Sequence, residues 1–125
     1  MIKNIYKQRI KTLNNDYNKL KTNVLSEKKI VDEYLELIAE VLKDIDSITE
    51  SNKIEPNMKY IEIDKKSKYI ETISLKITDI QKSIQIEFDK LNKEKKILIE
   101  SCVEEHKNLQ REDVLIEIDR IFNEK

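Results

Sequence analysis

The chain has 125 residues, charged side chains at 39% of positions, no glycine, one proline (Pro56) and a formal net charge of −1. That is one domain's worth of sequence, too poor in turn residues for a sandwich or barrel and close to the long-helix class. Without glycine no Gly-rich phosphate loop can form, and with one cysteine (Cys102) there is neither an intrachain disulfide nor a thiolate metal site.

The first segment, Met1 to Ile10, interleaves charged and apolar residues and lacks the apolar run of a secretory leader. No stretch anywhere approaches the roughly 18 apolar residues of a membrane span. The expectation is a soluble protein in the cytoplasm, or in a virion if the source is a phage. Isoleucine occurs 21 times and alanine once, at Ala39. Helix propensity favours the opposite choice. AT-rich codon usage explains it, pointing to a low-GC bacterium, its phages or plasmids, or an AT-rich protist.

From Tyr6 to Ile48 apolar residues recur at alternating spacings of three and four. With Ile10 at heptad position a, the a series is Ile10, Tyr17, Val24, Val31, Ile38 and Ile45. The d series is Tyr6, Leu13, Leu20, Glu27, Tyr34, Val41 and Ile48. Only Glu27 breaks a pattern that predicts one long helix over about 3–50, some 70 Å of rod, built to lie against other helices. Its apolar face widens along the way. Before Lys29 it is a narrow seam, whereas Ile30, Leu35, Leu37 and Leu42 fill the flanking e and g positions beyond it. A stripe that broad needs two neighbours, so the spacing predicts a third helix there, from the chain's own C-terminus or from another subunit.

Ser47, Thr49, Ser51 and Asn52 favour a break, and Pro56 disfavours helix at Glu55, which sets a connection at about 51–57. A second helix follows over about 58–106. Ile70, Ile73, Ile77, Ile80 and Ile84 keep the spacing. A 4–4 step to Phe88 is a stutter, and Leu91, Leu98 and Cys102 resume it with Lys95 as the miss. Two stretches, Tyr60–Asp64 and Leu115–Asp119, alternate apolar and acidic residues and carry a strand signal that competes with continued helix. Residues 104–113 are polar. Val114, Leu115, Ile118, Ile121 and Phe122 then predict a C-terminal helix over about 112–123, which closes the widened part of helix 1 or docks on a partner.

The fold class expected is therefore all-α: a long antiparallel helical hairpin or coiled coil with a short C-terminal helix, extended and oligomeric. The short connection favours a hairpin, while e–g charge matches leave parallel association open. The packing surface expected comprises Ile30, Val31, Tyr34, Leu35, Leu37, Ile38, Val41 and Leu42 with Val114, Leu115, Ile118 and Phe122.

Chemistry-bearing patterns are sparse. Cys102 and His106 share a helical face, but zinc wants four ligands, and the expectation is a core cysteine beside a surface histidine. Asp32, Glu33, Glu36, Glu40 and Asp44 fall outside the seam as a solvated face. Catalysis, metals and cofactors are not expected. Residues 1–29 carry eight basic side chains against two acidic ones, and residues 30–64 three against ten. Lys3, Lys7, Arg9 and Lys11 make a basic helix start that could follow phosphates. The function expected is a non-enzymatic assembly, scaffold or adaptor protein acting through helix–helix association with itself or another helical protein, such as a phage virion or assembly component. The alternative is a nucleic-acid-binding packaging or regulatory protein using the basic start.

Overall fold

The computed structural model describes residues 1–124. It consists of α1 (Asn4–Glu50), α2 (Pro56–Glu105) and α3 (Arg111–Phe122), with no strand among the described residues. The alternating stretches Tyr60–Asp64 and Leu115–Asp119 are both helical. No glycine turn stands beside either to start a hairpin, and the surrounding helical period wins.

The connections follow from side-chain chemistry. At the end of α1 the Thr49 hydroxyl donates back to the Ile45 carbonyl (2.8 Å), the Ser51 amide donates to Ile48, and the Lys59 ammonium donates to the Thr49 carbonyl. The last two satisfy carbonyls that a helix end leaves without amide partners. The Lys53 amide donates to the Ser51 hydroxyl, turning the chain. Pro56 ends the connection sooner than the expected residue 57, because it is the first residue of α2. There its missing N–H is no loss and its fixed φ suits the helix. No described residue has a positive φ, so a chain without glycine turns using ordinary backbone geometry alone. α2 ends at Glu105. After a tight turn, Gln110 in extended conformation opens α3, whose first turn carries Glu112 and Asp113 and whose last carries Arg120. Each charge complements the helix dipole at its own end.

The helices divide into two compact units. Unit 1 comprises Met1–Asn23 and Ile84–Lys125, and unit 2 comprises Val24–Ser83. Within each, α1 and α2 run antiparallel: Lys3 meets Glu105 and Tyr17 meets Asn92 in unit 1, while Tyr34 meets Lys76 and Asp44 meets Lys66 in unit 2. Unit 1 holds the main core. Ile2, Tyr6 and Ile10 from the start of the chain, Cys102 from α2, and Val114, Ile118 and Ile121 from α3 are all buried together. Leu13, Leu20 and Leu91 continue it, and Phe122 packs on both clusters. Lys95, the apparent miss in the α2 pattern, lies half-buried with its ammonium 4.7 Å from the Phe122 ring centroid and 6.0 Å from that of Tyr17. Cation–π attraction makes a lysine acceptable on that face. Phe88 stands edge-on to Tyr17. Unit 2 buries far less: of its described residues, Val41 and Ile73 alone are buried.

Side-chain removal should register this contrast. Ile10, with no exposed surface, is expected to cost about 2–5 kcal/mol as Ile10→Ala. Leu42→Ala, at a side chain 49% exposed in the single chain, is expected to stay within about 0.5 kcal/mol in dilute, monomeric protein. Urea unfolding followed by circular dichroism measures both, and equal losses would contradict the assignment of the core to unit 1.

Candidate helix-packing surface

In unit 2 the seam residues Val31, Tyr34, Ile38, Ile45 and Ile48 are half-buried around the buried Val41. Ile63, Ile70, Ile77 and Ile80 are half-buried around Ile73 on α2. Two lysines sit in or beside this seam. The Lys66 ammonium lies 3.6 Å from the Asp44 carboxylate, and that of Lys76 lies 5.9 Å from the Tyr34 ring centroid. What the seam does not cover is the pair of flanks. Ile30 and Leu37 at g positions are 39% and 37% exposed, and Leu35 and Leu42 at e positions are 51% and 49% exposed. A two-helix contact hides about one stripe per helix, and α1 carries three.

The sequence calls for a third helix at this widening. α3 is instead part of unit 1, where Val114 and Ile118 are buried and Phe122 is half-buried with Ile2, Tyr6 and Ile10 in one core, and Leu115 is half-buried. The α1 and α3 members of the expected surface thus fall in different units. Val114, Ile118 and Phe122 are taken up by the core of unit 1, and the four flank residues of α1 remain open.

Unit 1 contains a polar cluster that the sequence does not announce. His106, expected at the surface, is 4% exposed. Its Nε2 accepts the backbone N–H of Lys3 at 3.1 Å, and its Nδ1 lies 2.6 Å from the Cys102 carbonyl oxygen. Since Nε2 must accept, Nδ1 carries the proton and donates, so the ring works in its neutral form. It holds the amide of Lys3, the residue just before α1, with a side chain 103 residues away, while Tyr6 stands edge-on to it. Beside it the Lys3 ammonium and Glu105 carboxylate pair at 2.9 Å, which lowers the Glu105 pKa and raises that of Lys3 through their hydrogen bond. Glu117 of α3 is buried, with Oε1 3.7 Å from Arg120 Nη2 and Oε2 without any hydrogen-bond partner. Cys102 Sγ is 3.8 Å from His106 Nδ1, and burial, then the Glu117 and Glu105 charges, push the thiol pKa up. A thiol held protonated is a poor nucleophile. Among the described residues no group of three or more His, Cys, Asp or Glu side chains is placed to hold a metal ion.

The basic start is dispersed by the same packing. Lys3 is paired with Glu105, and Arg9 lies over the Tyr6 ring at 5.6 Å. Lys7 is half-buried and Lys11 is exposed. An open groove of about 410 Å³ beside them is lined by Arg9 but also by Asp16 and Glu94, so its charge is mixed. No helix among the described residues is long and apolar enough to cross a membrane. No family model, no curated protein and no solved structure matches this chain.

The thiol supplies a pH test. A group that ionises less readily folded than unfolded contributes its stability below its ordinary value, and that contribution is lost as pH rises above it. Cys102 begins this loss above 9.0, and Tyr17, raised by burial, adds to it above 10.0. The urea midpoint should therefore fall as pH climbs past 9.0, with Cys102→Ala starting lower but declining later. The same onset in both proteins would contradict burial of the thiol.

Proposed function

We propose that the protein is a non-catalytic scaffold or adaptor that works by helix–helix association through unit 2. The observation that carries this reading is the set of exposed flank residues on α1, Ile30, Leu35, Leu37 and Leu42, beside a seam already occupied by α2. Scattered exposed leucines mean little, but apolar residues aligned at helical spacing along one element are the anchors of helix-in-groove recognition. The third helix, which could have covered them, is committed to unit 1. The composition supports a low-GC source, and a bacteriophage virion or assembly component is the setting that fits a small all-helical protein of this kind.

The polar cluster of unit 1 supports a structural role over a catalytic one. His106 spends both ring nitrogens on backbone groups, and Cys102 has no exposed surface. Neither the ring nor the thiol is free to meet a substrate. The basic start gives no comparable support to nucleic-acid binding, because Lys3 is neutralised in place and Arg9 is stacked.

A photo-crosslinking side chain at Leu37 or, on the opposite flank, at Leu35, in the protein expressed in the cells that make it, tests this reading. A covalent adduct to a second polypeptide, whether another copy or a different protein, is the expected result, with none from the control position Asn57. Absence of adducts from both Leu37 and Leu35 would overturn it.

A further inference from the structure

Resting on the helix-association reading, we infer that one flank of α1 is the contact between two copies of this chain, running antiparallel about a two-fold axis beside Ala39. On α1 the residues Leu25, Lys28, Asp32, Leu35, Ala39, Leu42 and Asp46 recur at alternating spacings of three and four, and all of them are exposed. They form a second row centred about 100° round the helix from the row that faces α2. A neighbour placed there meets α1 without displacing α2. Two copies joined this way set four helices in a square, the arrangement of a four-helix bundle.

The composition of the row favours a second copy over an unrelated helix. Its central side chains are leucines on either side of the chain's one alanine. Antiparallel packing about a point between Leu35 and Ala39 places each Leu35 against the other copy's Ala39, twice over. Large meets small, which lets helix axes approach closely and fill the space between them. The same register places Lys28 of each copy opposite Asp46 of the other. Neither residue makes an ion pair among the described residues, so both are free to pair across the axis. The same register sets Asp32 opposite Leu42, a cost common to the shifted alignments, which also place an aspartate against a leucine.

Other alignments do worse. Parallel in-register packing sets Lys28 on Lys28, Asp32 on Asp32 and Asp46 on Asp46, three like-charge contacts. An antiparallel shift one layer in either direction leaves Lys28 against Ala39, or Asp46 against Leu35, and loses both ion pairs. An isologous contact satisfies each residue twice, so the two-fold register is also the one that closes.

Sedimentation velocity on the full chain over a range of concentrations tests the proposal. The wild type is expected to pass from monomer to dimer as concentration rises, with no larger species. Leu35→Gln combined with Leu42→Gln should abolish the dimer, and both being exposed, helicity should be retained by circular dichroism. Lys28→Asp or Asp46→Lys alone puts like charges at both ends of the contact and should weaken the dimer about tenfold. The two together should restore it to within about threefold of wild type. A wild type that stays monomeric overturns the proposal, and so does a dimer indifferent to these changes or a charge swap that fails to restore it. None of those results would remove a crosslink from Leu37 to a different protein, so failure of this register and failure of the association reading can be told apart.

Discussion

Two packed helices can hide about one stripe of each, and every feature of this molecule follows from how it meets that limit. In unit 1 a third helix lies across the pair, and side chains from three directions converge on Ile10, Cys102 and Val114 until none retains more than a trace of exposed surface. In unit 2 the pair has only itself. Its seam is half-buried, two lysines are tolerated along it through Asp44 and Tyr34, and the flanks stay open. The same two helices thus carry a fixed end and an unfinished stretch, and the difference is α3.

The helix pair was legible because periodicity over more than forty residues leaves little room for another fold. The three helices and both breaks appear in the residue pattern to within a few positions. The widening at Ile30–Leu42 was equally legible, since e and g positions can be read by counting. What covers it was not, because two helical segments far apart in sequence carry no label saying which third helix belongs to which. α3 chose the end where Ile2, Tyr6 and Ile10 complete a core with Cys102. Glu117 was visible in principle: its place between Val114 and Ile118 puts it on the apolar face of α3, although a carboxylate there argues against burial on composition alone. His106 was not. It lies in a polar stretch, and only the amide of Lys3, brought across by folding, gives its ring a reason to be inside.

That histidine also shows how unit 1 is held. Its ring joins Lys3, the residue just before α1, to the last turn of α2, and the Lys3–Glu105 pair lies alongside. Exposed ion pairs contribute little alone, whereas an amide left without its acceptor in a buried place costs more. The fixed end is therefore stabilised by apolar burial and one well-placed ring. The open stretch has little buried surface of its own, Val41 and Ile73 being its buried apolar residues, so far less apolar burial stabilises it.

Hydroxyl-radical footprinting of dilute and concentrated protein, read residue by residue, tests the central claim most directly. If unit 2 is completed by another copy, Leu35 and Leu42 lose reactivity on concentration while Leu75 and Ile86, exposed on α2, keep theirs. Equal reactivity of all four at both concentrations would show that the flank of α1 meets no second copy of this chain.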